Sequence, residues 1–390
     1  MSTVLQMTQI NGTVADGFGA VADAFERNFR DHGELGAAFS LYVDGEAKAD
    51  LWAGVADDET GREWAADTLQ LVFSTTKGAT AICVARLVES GRLSYDDTVA
   101  THWPEFAASG KGDITIRQVM SHQAGLPYVD AQLTFDDLMA VDPVVVALAE
   151  QAPIWQPGSK HGYHAVTYGW LAGELVRRVD GRRIGRYFAE EVAAPLGLEF
   201  WIGLPESEEP RVARLVRPPE PDDPNVRALL AQFIGPGTLL HKTFTVNGIL
   251  DQAGDDAFNS RPVHATEMPA ANGITTARSL ARMYGATVAP VDGIRLLAAE
   301  TVEKMRACEV DAPDAVLFFP SRFGMGMMLH GSLTPMLGPT SFGHAGAGGS
   351  LGYADVDAAV GYGYVMNQMS SGIAGDPRTV TLNDAVRSCL

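Results

Sequence analysis

A chain of 390 residues with 46% hydrophobic and 20% charged side chains has apolar material for a large core, arranged as two lobes or one big domain. Its formal net charge of −19 repels nucleic acid and anionic membranes and excludes both as expected partners. Three scattered cysteines, Cys83, Cys308 and Cys389, exclude a disulfide framework or a thiolate metal site, and with no basic leader or membrane-length apolar run visible the chain reads as cytoplasmic and reduced.

In chain order, residues 13–30 place Val14, Phe18, Val21, Phe25 and Phe29 at helical spacing. Residues 35–43 alternate with a period of two, Asp44-Gly45 is a hairpin signal, and 47–53 is the returning strand. A second helix begins near Ser74 and carries Ala79, Ile82, Cys83, Arg86 and Leu87 to a stop at Gly91. It is apolar along most of its length, which predicts burial, with Cys83 as a small core residue. From about 95 to 270 the pattern is mainly helical, with a short helix from Asp96-Asp97, another after Thr115, and longer ones over 135–149 and 168–179. Residues 205–224, rich in Glu, Asp, Pro and Arg, read as a solvated surface loop rather than an active-site lid. Beyond Gly273, Thr275-Thr276 caps a helix, and strand patterns return at 323–330, 341–346, 351–357 and 360–366. Asp376-Pro377 then opens a C-terminal helix. Sheet and helix at both ends of the chain, around a helical middle, predict an α+β architecture.

The chemistry centres on Ser74-Thr75-Thr76-Lys77. Three-residue spacing puts the hydroxyl and the amine on one helix face, about one turn apart. Ser-x-x-Lys is a serine-nucleophile arrangement in which the amine takes part in proton transfer. A capping serine beside a solvated lysine has the same spelling, but a helix N-terminus favours anions, so a lysine there is out of place for structural reasons alone. A rival serine lies in Gly348-Gly349-Ser350-Leu351-Gly352, which satisfies G-x-S-x-G. That pattern needs a strand before the serine, a helix after it and a later histidine. Here glycines precede Ser350, a strand follows it, and no histidine lies beyond His344, so Ser350 reads as a turn residue. His161 and His164 lack the local partners of a metal site, and the Gly-rich segments lack the lysine of a phosphate loop, so no metal and no cofactor is expected.

Several segments then resemble one family in its own order. Leu71-Val72-Phe73-Ser74-Thr75-Thr76-Lys77 is similar to the Ser-x-x-Lys segment of the serine β-lactamase and penicillin-binding-protein superfamily. Residues 116–126 resemble the stretch that often reads LLSHTSGL. Trp155-Gln156-Pro157-Gly158, followed by Gly162-Tyr163-His164, resembles the stretch carrying the catalytic tyrosine. Phe342-Gly343-His344-Ala345-Gly346 stands where the Lys-Thr-Gly strand motif stands. Within the superfamily the resemblance is to the family VIII carboxylesterases.

The resemblance implies a serine β-lactamase-like fold: an antiparallel sheet flanked by helices, built from 1–95 and 271–390, with a helical domain inserted over 96–270 and the site at the junction. It implies Ser74 as nucleophile, Lys77 as its proton acceptor or charge balance, and Tyr163 as acid/base, a phenolate or shared-proton phenol beside Lys77, with Tyr168 as the alternative. The backbone amides of Ser74 and Ala347 would form the oxyanion hole. His344, Gly346 and Trp155 would contact substrate. Two departures bear on the substrate. Ala165 replaces the amide-orienting Asn that follows the tyrosine, and His344 replaces a constant cation with a group only partly charged near neutrality. Both favour a small neutral ester over an anionic β-lactam, hence a carboxylesterase acting through acyl-Ser74. Acyl transfer to an alcohol or amine, weak β-lactamase or amidase activity, and a non-catalytic binding role are the alternatives; homo-oligomer formation stays open.

Overall fold

The computed structural model describes residues 8–218, 223–254, 256–372 and 375–390. The reading of Met1 to Met7 as free of a leader, and part of the expected 205–224 loop, fall outside the described residues. Elements are named as follows: β1 (Asn11–Val14), α1 (Gly19–Asp31), β2 (Gly36–Val43), β3 (Glu46–Asp57), α2 (Thr76–Glu89), α3 (Thr167–Asp180), α4 (Ala277–Val288), β4 (Val310–Pro313), β5 (Pro320–Phe323), β6 (Met328–Leu329), β7 (Ser341–Ala345), β8 (Leu351–Asp355), β9 (Val360–Met366) and α5 (Pro377–Cys389).

The strands form one antiparallel sheet in the order β1-β3-β2-β9-β8-β7-β6-β5-β4. The two ends of the chain meet in its middle, where β9 pairs with β2 from Val360↔Val43 to Met366↔Ala37. The sequence of β9 shows how both faces are covered. Gly361 and Gly363 point to one face, where a Cβ would collide with the backbone of α4, so the helix lies directly on the sheet. Tyr362 and Tyr364 point to the other, where Tyr362 packs on Phe39 and Tyr353, and the Tyr353 hydroxyl donates to Asn383 of α5. Helix α1 packs against α5 on this second face. The hairpin between β2 and β3 turns at Asp44 and Gly45, with φ of 51° and 78°, as the Asp-Gly signal requires.

The architecture is the expected antiparallel sheet with flanking helices. Helix α2 is buried over nearly its whole length, packs on α3, and has Gly78 where a Cβ would strike the Tyr284 hydroxyl. A second, three-stranded sheet joins Gln70–Leu71, Ile274–Thr275 and Phe200–Trp201, and it sets the segment that enters Ser74. Among the described residues no helix is long and apolar enough to cross a membrane.

Several expectations need correction. Strand β1 precedes α1 where helix alone was expected; four residues along the β3 edge are too few to show a period. The single helix over 135–149 is two, Phe135–Ala140 and Asp142–Glu150, parted at Val141 (φ 69°) because Pro143 has no N–H to continue the first. Residues 323–330 are two strands, β5 and β6, folded back on each other about Gly324 to Gly326. The 205–224 stretch is not simply a solvated excursion: Ala213 and Leu215 are buried, and Glu206–Arg211 is a short helix.

Candidate active site

The site is built where the small sheet hands the chain to α2. Val72 N–H donates to the Gly273 carbonyl (2.9 Å), and Phe73 then adopts a φ of 44°, a conformation an aromatic residue rarely holds. Thr76 fixes this bend from both sides. Its hydroxyl donates to the Phe73 carbonyl (2.5 Å) and accepts from Gly273 N–H (2.8 Å). Ser74 therefore sits on a tight turn, Phe73–Thr75, immediately before α2 rather than within it. The far end of β7 reaches the same turn. Ser350 Oγ lies 3.0 Å from both the Val72 carbonyl and Thr75 Oγ1, and a Cβ on Gly346 would collide with the Val72 carbonyl and the Ser350 hydroxyl. Ser350 is thus a buried tie between strand and turn, and sequence reasoning saw only its turn.

Lys77 is fully buried, and its Nζ stands 3.0 Å from Ser74 Oγ. The amine also donates to the carbonyls of Ala165 (2.6 Å) and Ala270 (3.0 Å). A carbonyl can only accept, so these two contacts take two N–H groups and leave the third direction facing Ser74. Burial pushes the amine well below its ordinary 10.5. Once deprotonated, the amine would direct a lone pair at the serine hydroxyl.

Tyr163 lies beside the pair, with Lys77 Nζ 4.7 Å from its ring centroid. Burial raises the phenol above its ordinary 10, partly opposed by a hydrogen bond with Ser74. Of the two forms expected, a phenolate or a shared-proton phenol, this environment favours the protonated phenol. Its backbone is held by Asp314, whose Oδ1 accepts from Tyr163 N–H (3.0 Å) and from Val316 and Leu317 N–H, while Oδ2 accepts from Ser321 (3.0 Å). Nothing in the local sequence joins Asp314 to a tyrosine 151 positions earlier. Tyr168, the alternative, lies farther off, its ring centroid 6.0 Å from Lys77 Nζ.

Three neutral imidazoles form the wall behind Tyr163. His122 Nδ1 accepts from His164 N–H (3.1 Å); His164 Nε2 accepts from Leu126 N–H (2.9 Å), and its Nδ1 donates to the Gly162 carbonyl (2.7 Å). His344 Nδ1 donates to the Ala345 carbonyl (2.7 Å). Burial, with Lys77 nearby, pushes His344 down to about 3, so the ring is neutral and not the partly charged group expected from sequence. His344 packs near the Tyr163 ring at 6.1 Å, and Trp155 stands farther back against His164 at 6.0 Å. Neither is among the residues lining the hollows at Ser74. Gly346 serves close backbone approach, as above.

Two hollows meet at Ser74, and Ala347 lines both. The larger, of about 310 Å³, has apolar walls including Phe73, Leu215, Phe244, Phe258 and Met369, with Arg217 also on its lining. The smaller, of about 20 Å³, is bounded by Tyr163, Leu317, Met328 and Leu333.

A serine-bearing turn ahead of a buried helix, with a lysine one turn on and a tyrosine across from it, is an arrangement shared with the serine hydrolases of β-lactamase-like fold. A family profile described as Beta-lactamase matches residues 22–384. Among curated proteins, Esterase/beta-lactamase LipL of Mycobacterium tuberculosis is 36% identical over 376 residues, 93% of this chain and 84% of LipL. Esterase EstB of Burkholderia gladioli is 29% identical over 206 residues, 48% of this chain and 52% of EstB. Among solved structures, a family VIII carboxylesterase superposes with a TM-score of 0.87 at 39% identity, covering 98% of this chain and 100% of that one. EstA from Arthrobacter nitroguajacolicus Rue61a gives 0.85 at 32% identity, covering 97% and 98%. The chain belongs to the β-lactamase family and is a serine hydrolase.

Proposed function

We propose that the chain is a serine carboxylesterase that cleaves small neutral esters through an acyl-Ser74 intermediate. The observation that carries this is Lys77, whose buried amine is fixed by two carbonyls and faces Ser74 Oγ at 3.0 Å. Ser74 attacks the ester carbonyl and its proton passes to Lys77 Nζ. The amides of Ser74 and Ala347 stabilise the oxyanion, an effect of about 3–4 kcal/mol per donor in comparable sites. As the C–O bond to the alcohol breaks, Tyr163 protonates the departing oxygen, and the proton held on Lys77 replaces the one Tyr163 has given. Water then attacks the acyl carbon, gives one proton back through the same groups, and releases the acid with Ser74 restored.

A neutral substrate is supported by the mainly apolar walls of the larger hollow, and by His344 behind Tyr163, which is uncharged above about pH 3. The three free thiols, Cys83, Cys308 and Cys389, suit a reducing cytoplasm. The strongly negative charge suits a protein without nucleic-acid or membrane partners.

A fluorophosphonate probe is expected to label Ser74, and Ser74→Ala to lose both labelling and hydrolysis of ethyl butyrate, with a kcat lower by about 10³ or more. Wild-type turnover by Ser74→Ala would remove the nucleophile assignment.

A further inference from the structure

We propose that the two hollows at Ser74 divide the ester between them, the alcohol part in the smaller and the acyl substituent in the larger, so that the enzyme selects esters of small alcohols with larger acyl groups. The proposal rests on the carboxylesterase reading above and adds the direction in which the substrate lies.

Ser74 and Ala347 line both hollows, so the reacting carbonyl sits at their junction. Tyr163 lines only the smaller of the two. A group that protonates a departing oxygen must stand within hydrogen-bond reach of it, which puts the leaving oxygen on the Tyr163 side. The remainder of the alcohol must then fit between Leu317, Met328 and Leu333 in about 20 Å³. A single water needs about 10–15 Å³ on this measure, so the space suits a methyl or ethyl group and not a ring. Leu317 and Met328, two of its walls, are buried at 5% exposure each.

The acyl substituent points the other way, into about 310 Å³ walled by Phe73, Leu215, Phe258 and Met369. That volume, apolar and aromatic-lined, matches the lower end of small-molecule pockets. The same partition serves deacylation. Once the alcohol has left, the small hollow has room for one water, next to the phenol that relayed the first proton. That water forms the new C–O bond as the bond to Ser74 Oγ breaks.

Two ester series test the partition, followed by titration of released acid. The first holds hexanoate fixed and varies the alcohol through methyl, ethyl, butyl and benzyl. The second holds methyl fixed and varies the acid through acetate, butyrate, hexanoate and phenylacetate. The expected kcat/KM falls at least tenfold from methyl to benzyl in the first series and rises from acetate to phenylacetate in the second. Leu333→Ala, at the half-buried edge of the small hollow, is expected to narrow the methyl-to-benzyl ratio at least fivefold. Benzyl esters turned over as fast as methyl esters by the wild type, or a ratio unmoved by Leu333→Ala, would overturn the partition while leaving the esterase reading intact. No hydrolysis in either series, with Ser74 unlabelled by the fluorophosphonate, would overturn both.

Discussion

Lys77 shows how an ionisable side chain becomes a base by losing its water. Among the described residues its partners are not carboxylates but two backbone carbonyls, and carbonyls can hold a neutral amine as well as an ammonium. The pH dependence follows in sign. The neutral amine is the active form, so kcat/KM climbs with pH and reaches its plateau well below 10.5. Tyr163, held above 10, must keep its proton to donate it, so no downturn is expected before about pH 10. His344, already neutral above about 3, adds no inflection between 5 and 8. A profile still climbing at pH 10, after subtraction of alkaline hydrolysis, would mean an ammonium at neutral pH. Lys77→Met is expected to lower kcat by about 10²–10⁴, the usual share of a general base.

At the scale of elements, the site is a strained turn held by a strand. Phe73 stays in its left-handed conformation because Thr76 bonds its carbonyl and β7 closes over it through Gly346 and Ser350. Ser350→Ala removes a buried hydroxyl from the Val72 carbonyl and Thr75, and it is expected to lower stability by about 1–2 kcal/mol in urea unfolding. Ser74 is expected to remain the labelled residue in that variant. Label appearing on Ser350 in Ser74→Ala would revive the rival nucleophile. Much of this was legible in the sequence. Ser74 and Lys77 follow from local spacing, Tyr163 and Ala347 from the family's ordered motifs, and the strands of the C-terminal half from their period of two. Asp314, Ser350 and Thr76 were not legible as parts of the site. Each makes a contact across a gap of between 151 and 278 residues, where no periodicity reports on contact.

Across the whole molecule, the buried charges give the fold its own pH dependence, separate from that of the chemistry. His122, His164 and His344 are all fully buried; burial takes His164 to about 4 and His344 to about 3, and His122 well below its ordinary 6.5. Each adds stability that is present above 6.5 and lost as pH falls towards its folded value, because only the unfolded chain takes up the proton. Glu34 acts in the other direction. It lies against Arg378 and Tyr364 beneath the sheet, and burial outweighs Arg378 and raises it to about 7. Its contribution is present below 4.5 and lost as pH rises through about 7. Between 4.5 and 6.5 the three histidines outnumber the two glutamates that burial raises, Glu34 and Glu267, so the unfolded state binds more protons and stability climbs with pH. Each excess proton contributes about 1.4 kcal/mol per pH unit. Urea unfolding at pH 5.0 and 6.5 is expected to give the lower midpoint at pH 5.0. Glu34→Gln removes one opposing group and steepens the difference, whereas His344→Asn flattens it. Equal midpoints at the two pH values, with wild-type activity retained at 6.5, would mean that these imidazoles can take up protons inside the fold.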